Sequence, residues 1–329
     1  MEAGGVKAEL VEVKGAGPAL KAFQKFSGKG ASLLLYGHLD TVKPSPAWKT
    51  NPFKPFMKDG KLYGLGACDM KAGLAGLTLA FLTLASNPPK DLQGRLTLAF
   101  ASDEEGNSRG FKALRETGTF KGLNAAISAE PTGLKRLEVG RKGRAVLKVQ
   151  FYGGSSAEKA AAFILEMRAW ASKNKIPVKP IGVETFMGWD SQPSRCVVAL
   201  DRPLNLGETL EEALRQVKMV ASRVGRAKVS TYPETYMKPY RLDGREPIIS
   251  AVREACMTVL GFKPKLVSGL MAGDENRLAA HGIPTVAYGP DGGNLHRAGE
   301  YVILDSAVKA AEVYLEASIK FLSFSSSKP

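Results

Sequence analysis

The sequence predicts an α/β fold in two units, a larger one interrupted by a smaller βαββαβ unit. Three observations predict it. Before Gly143, short apolar runs alternate with helical stretches. From Gly143 alternating strands and amphipathic helices take over, and beyond about Leu242 the first pattern resumes. The length of 329 residues agrees, because it exceeds a comfortable single core. The expected boundaries are 1–141 and 237–329 for the two parts of the larger unit, and 142–236 for the insertion.

Each element has a local reason. Leu33-Leu34-Leu35-Tyr36 reads as a buried strand. Asp69 to Leu84 is apolar at most positions and long enough for a buried helix, which Pro88-Pro89 closes off. Arg95 to Ala101 and Ala125 to Ala129 are further strands. In the insertion, Ala145 to Tyr152 alternates as a strand and Ala157 to Ser172 reads as a helix. A strand lies within Ile176 to Phe186 and another runs from Pro193 to Leu200. An amphipathic helix (Leu210 to Val224) and a last strand (Ala227 to Tyr232) complete the ferredoxin-like order. Helix Ile248 to Leu260 and strand Thr285 to Tyr288 return to the larger unit, and the tail Ser325-Ser326-Ser327-Lys328-Pro329 is expected to fray.

Composition narrows the function classes. With 44 % hydrophobic and 24 % charged residues the chain is globular, not disordered. No apolar run approaches the ~18 residues that span a bilayer. The start Met1-Glu2-Ala3-Gly4-Gly5 is no signal peptide, so a soluble, cytoplasmic protein without membrane contact is expected. Cys68, Cys196 and Cys256 lack CxxC spacing, which argues for reduced thiols over disulfides or a zinc ribbon. The 46 Lys plus Arg against 32 Asp plus Glu give +14, which suits an anionic partner. Nucleic acid is not expected, since no stacking-aromatic motif accompanies the charge.

The chemistry-bearing residues gather at strand exits. His38 and Asp40, in Gly37-His38-Leu39-Asp40, share one side of a strand end, where a carboxylate can hold an imidazole tautomer. Asp69 enters the long apolar helix after a glycine-containing turn, as an N-cap or as something more. Asp103-Glu104-Glu105 places three acids at another exit, where a solvated loop tolerates repulsion and bound cations would exploit it. Neighbouring side chains there point apart, so Glu104 and Glu105 suit different roles, one a ligand and the other a general base. Glu130 ends an apolar strand, where an unpaired carboxylate is costly. His296 follows the Gly289-Pro290-Asp291-Gly292-Gly293 loop, whereas His281 reads as plain surface. In an open α/β sheet such exits converge on one crevice. Two histidines and three carboxylates, one of them bridging, provide three protein ligands to each of two zinc ions.

Seven stretches, Leu35 to Val42, Trp48 to Phe53, Asp59 to Gly64, Asp69-Met70-Lys71, Asp103 to Gly106, Glu130-Pro131-Thr132 and Gly282 to Val286, carry a likeness, together with His296 and Glu300-Tyr301-Val302. They resemble the acetylornithine deacetylase / succinyl-diaminopimelate desuccinylase / aminoacylase / carboxypeptidase family of co-catalytic zinc amidohydrolases. The resemblance implies a mixed-sheet, zinc-exopeptidase-like catalytic domain whose insertion is a lid or dimerisation domain. It implies two divalent ions, zinc with cobalt able to substitute. Asp69 would bridge them, His38 and Glu130 would hold one, and Glu105 and His296 the other. Glu104 would be the general base, Asp40 would orient His38, and the Asp69–Met70 peptide would be cis.

The implied reaction is release of an acyl group from an N-acyl amino acid in amino-acid biosynthesis. An exopeptidase of the same family, carboxypeptidase or dipeptidase, is the alternative. So is a hydrolase freeing lysine or ornithine from an acidic carrier protein, which a positively charged enzyme would attract. A binding homologue without turnover is a different class, and the intact Glu104 and ligand positions argue against it. A homodimer through the inserted domain is a further expectation. The chain departs from the family pattern in places. Few residues precede His38, Gly154 stands where the family carries a lid histidine, and Pro203 stands where it carries a carboxylate-binding arginine. Arg202 or Arg195 is expected to take over that contact, which for Arg202 requires a bulge near Pro203. Asp274 and Asn276 are further candidate substrate contacts.

Overall fold

A computed structural model describes residues 6–187 and 193–324. The Met1 to Gly5 start and the Ser325 to Pro329 tail lie outside the described residues. The chain divides into two compact units, Met1–Gly140 with Leu242–Ser268 and His281–Pro329, and Arg141–Arg241 with Gly269–Ala280. The short Gly269–Ala280 segment thus groups with the smaller unit, although it lies beyond the boundary expected at 236/237.

The larger unit is built on a mixed sheet. Strands Gln93–Ala101, Ser27–His38, Ala125–Ser128 and Thr285–Ala287 lie side by side in that order and run parallel. Ala19–Lys25 and Ala8–Val11 add antiparallel strands at the Gln93–Ala101 edge, and Arg136–Arg141 pairs antiparallel at the other. Leu33, Leu34 and Leu35 are each fully buried. A parallel sheet covered on both faces demands this, and it is why the run shows no alternation. Leu74, Leu77 and Phe81 of helix Ala72–Ser86 and Val313 and Tyr314 of helix Leu304–Phe324 join Leu33, Leu35, Leu98 and Ile127 in the core. Phe111 and Phe120 pack edge-on against Tyr36. By length and composition alone the helical stretch Ala67–Ser86 could cross a membrane, contrary to the expectation that no run is long enough; half of it is buried among the protein's own side chains.

The registers place the strand exits level with one another. His38 pairs with Ala101 and Tyr36 with Ser128, so the residues after each strand emerge at the same rim. A small antiparallel sheet of Gly292–Gly293, Tyr301–Ile303, Lys61–Tyr63 and Phe56–Lys58 belongs to this unit too.

The smaller unit is the expected βαββαβ. Lys179–Met187, Pro193–Leu204, Gly143–Tyr152 and Ala227–Thr231 form one antiparallel sheet in that spatial order. Helices Ser156–Asn174 and Leu210–Ser222 pack on it around Leu147, Val149, Phe163, Val198 and Val217. The second helix starts at a capping box, in which Thr209 accepts the Glu212 N–H and Glu212 accepts the Thr209 N–H.

Candidate metal centre

All of the expected ligands belong to the larger unit: the level strand exits bring His38, Glu105 and Glu130 together, and the Ala67–Lys71 turn and the loop after Gly292–Gly293 add Asp69 and His296. His38 is the last residue of its strand and only 2 % exposed. Its Nε2 lies 3.2 Å from Asp69 Oδ1, while the other oxygen, Asp69 Oδ2, lies 3.1 Å from His296 Nε2. Glu105 Oε1 is 2.7 Å from the same His296 nitrogen. Two sets of donor atoms therefore share Asp69. His38, Asp69 and Glu130 form one, and Asp69, Glu105 and His296 the other, with donors in each set within 4.8 Å of one another. A third set, His38, Glu104 and Glu105, brings Glu104 to the same place without including Asp69.

The backbone explains the aim of each ligand. Asp69 is not an N-cap: it lies inside the turn Ala67–Lys71, and Lys71 caps the helix that follows. The Asp69–Met70 bond is cis, as the resemblance implies. Asp103 adopts a left-handed φ of 63° that turns the chain at the strand exit. Its carboxylate accepts the Asn107 N–H at 3.1 Å and a bidentate pair from the Arg109 guanidinium at 2.6 and 3.0 Å, which fixes the turn carrying the twin glutamates.

Asp40 acts differently from the expectation. His38 Nδ1 is 3.1 Å from the Asp40 backbone carbonyl and 3.7 Å from its carboxylate. The carboxylate oxygens instead accept the backbone N–H groups of Glu104 and Glu105, each at 3.1 Å. Carbonyl orientation of the imidazole serves a metal ligand equally well, and the side chain is left to tie two strand exits together.

Electrostatics show what the centre favours. Burial opposes a charge on His38, yet the hydrogen bond to Asp69 and the nearby Glu104 and Glu130 raise its pKa well above the usual value. Hydrogen bonds to Asp69 and Glu105 raise His296 to about 10. Burial would raise Asp69, but its bonds to His296 and His38 override this and hold the carboxyl well below its normal range. Clustered, partly buried carboxylates need positive charge, and protonated imidazoles supply it in the absence of cations. Nitrogen and oxygen donors, three to a set, are a fitting complement for two divalent ions.

A model of Peptidase family M20/M25/M40 matches residues 34–320. The chain belongs to that family. It is 26 % identical over 341 residues to a succinyl-diaminopimelate desuccinylase of Wolinella succinogenes, covering 94 % of this chain and 90 % of that protein. Among solved structures it is similar to the M20 metallo-carboxypeptidase Sso-CP2 of Sulfolobus solfataricus, with TM-score 0.72, 19 % identity, and 97 % and 91 % of the two chains covered. It is also similar to Bacillus subtilis YXEP, a dinuclear metal-binding peptidase of the M20 family, with TM-score 0.72, 17 % identity, and 98 % and 89 % covered. As an M20 protein the chain is a metal-dependent hydrolase of amide or peptide bonds, in agreement with the reading from sequence.

Other expected site residues of this M20 chain lie in the smaller unit and are engaged within it. Arg202 is fully buried and bonds Glu208, Gln216 (2.7 Å) and the Pro203 carbonyl. No bulge intervenes, because Arg202 pairs with Ala145 and Pro203 with Arg144 in unbroken register. Strand alternation then sends Arg202 to the core side with Leu200 and Leu204, which corrects its expected substrate contact. Asn276 is also buried; its amide donates to the Lys142 and Lys238 carbonyls at 3.0 and 2.9 Å and accepts the Gly273 N–H at 3.0 Å. Asp274 is buried 3.5 Å from Arg277. The Arg195 guanidinium stacks on Phe186 at 3.9 Å. Around Gly154 a side chain would meet nothing within 4 Å.

One residue with no role assigned from sequence stands beside the centre. Glu300 is 2 % exposed, and its carboxylate bonds the turn that carries Asp69. The sequence marked it only as part of the Glu300-Tyr301-Val302 stretch that shares the family likeness, four residues after His296.

Proposed function

We propose that this M20 protein is a dizinc amidohydrolase that removes an acyl group, succinyl or acetyl, from an amino acid. The observation that carries the reading is the division of Asp69: one carboxylate oxygen faces His38 and the other faces His296. Asp69 is then the shared ligand, with His38 and Glu130 on one ion and Glu105 and His296 on the other. Zinc suits these donors, and cobalt would substitute. Bound there, the pair of ions supplies Lewis-acid polarisation of an amide carbonyl and lowers the pKa of water.

The chain's own residues do the rest. Glu104 lies with His38 and Glu105 but outside both Asp69 sets, which leaves its carboxylate as the proton acceptor. It takes a proton from the attacking water and returns one to the leaving amine nitrogen. Asp40 holds the turn from which Glu104 and Glu105 project. A cavity of about 630 Å³ beside Asp40 and Glu105, bordered by Lys43 and Arg109, is of a size for a small N-acyl amino acid. The desuccinylase relatives favour a dicarboxylic acyl group, and the inserted unit serves as lid or dimerisation domain. Of the candidate carboxylate contacts, Arg195 is retained.

A second reading is that the amino acid is released from an acidic carrier protein. The +14 charge favours it. The experiment that separates these is turnover of the zinc-loaded protein on N-succinyl, N-acetyl, dipeptide and acidic-protein-linked amino acids. Activity on the free N-acyl amino acids supports the first reading, and activity on the protein-linked one alone supports the second.

A further inference from the structure

We infer that Glu300 is a positioning residue of the metal centre, whose buried carboxylate clamps the turn that aims Asp69. The inference rests on the reading of Asp69 as the ligand shared by two ions. Glu300 Oε2 accepts the Gly66 N–H at 2.7 Å, and Oε1 accepts the Cys68 and Asp69 N–H groups at 3.0 and 2.9 Å. Its backbone carbonyl takes the Gly64 N–H at 3.0 Å. One residue thus gathers four of the six N–H groups from Gly64 to Asp69, across more than 230 positions of sequence.

A carboxylate buried this deeply is tolerated because three N–H groups face it. The turn is shaped to present them. Gly66 has a φ of 73°, and a Cβ there would collide with the Thr41 methyl and lie 2.7 Å from Lys71 Nζ. Only glycine fits that position without strain. Ala67, Cys68 and Val302 make a small apolar cluster that backs the same contact.

The arrangement has a consequence for both ions at once. Glu300 lies four residues after His296, so the segment that supplies one ligand also fixes the backbone of the shared one. If the turn relaxes, Asp69 withdraws from His38 and His296 together. Removal of Glu130 or Glu105, by contrast, strips a donor from only one of the two sets that share Asp69.

The test is metal titration of Glu300→Gln beside the wild type, followed by calorimetry and by the visible spectrum of the cobalt-loaded protein. A glutamine oxygen can accept from one side, but its NH₂ then confronts an N–H on the other. Both affinities should fall, roughly 10–100-fold as for other groups that orient metal ligands, and the cobalt spectrum should shift. Val313→Ala, in the core cluster under the sheet rather than at the turn, should lower Tm and leave both affinities intact. Should Glu300→Gln fail to fold, Glu300→Asp, whose charge stops one methylene short of the turn, is titrated with the same expectation. Wild-type affinities and spectrum in the Glu300 variant, or weakening of one ion alone, would overturn the clamp while leaving the two-ion reading in place. A wild type that takes up fewer than two ions would overturn both.

Discussion

Glu104 and Glu105 are adjacent in sequence, yet the proposed function gives them opposite sensitivities. Changing Glu104→Gln leaves both Asp69 donor sets whole, because Glu104 belongs to neither. What is lost is the proton acceptor, which contributes ~10²–10⁴ in rate. That range corresponds to about 2.7–5.5 kcal/mol in the barrier. Changing Glu105→Gln instead removes the charge that lies 2.7 Å from His296 Nε2, within one donor set. With the ion bound both groups are its ligands, so the loss is that of a donor. One ion should then bind at least as much more weakly as when an orienting partner is removed, roughly ten- to a hundredfold. Neither change touches the two N–H bonds to Asp40, which are made by the backbone. Metal content after gel filtration and kcat on an N-succinyl amino acid are the two readouts. Glu104→Gln should retain two ions per chain while kcat collapses, and Glu105→Gln should lose one ion. Equal metal loss in both variants would refute the division of roles, as would a Glu104→Gln enzyme with near-normal kcat.

Asp40→Asn should lower kcat while the His38 set keeps its ion, since an amide can accept only one of the two N–H groups now held by the carboxylate. The cost is about 1–3 kcal/mol, read as a lower Tm, and unchanged turnover would contradict the holding role. The metal-free protein should lose stability as pH rises from about 6.5 to about 10. Asp69 and Glu105 raise the folded pKa of His296 to about 10 from 6.5, so its contribution is complete below the lower value and gone above the upper. Zinc should flatten this dependence by replacing the protons, and a Tm of the chelated protein that climbs with pH would contradict it. Arg202→Ala should lower Tm by removing a fully buried guanidinium that bonds Glu208 and Gln216, with KM unchanged. Arg195→Ala should raise KM for carboxylate substrates at nearly constant Tm, and the reverse pattern would return the substrate contact to Arg202.

The strands and the donor set were legible in sequence for one physical reason. Leu33 to Tyr36, Arg95 to Ala101 and Ala125 to Ala129 are apolar runs that end in His38, Glu104-Glu105 and Glu130, and parallel strands in register bring such ends to one rim. What escaped depended on which partner a polar group selects. The Asp40 carboxylate took two backbone N–H groups rather than His38, a choice set by a turn whose path begins at the left-handed Asp103. Glu300 belonged to a stretch that shares the family likeness, but its role was hidden because its partners lie more than 230 residues away. Arg202 neighbours the position of the family's carboxylate-binding arginine, yet period-two alternation, undisturbed by Pro203, sends it to the core side. The helix after Asp69 begins at Ala72 rather than at the aspartate itself, since the Ala67–Lys71 turn intervenes.

The central claim is that Asp69 joins two cations into one centre. Crystals of the zinc-loaded protein, with anomalous scattering measured at the zinc edge, test it most directly. Two peaks ~3.5–4 Å apart are expected, with one Asp69 oxygen on each, His38 and Glu130 completing the first and Glu105 and His296 the second. A single peak, or two peaks of which only one touches Asp69, would contradict the account.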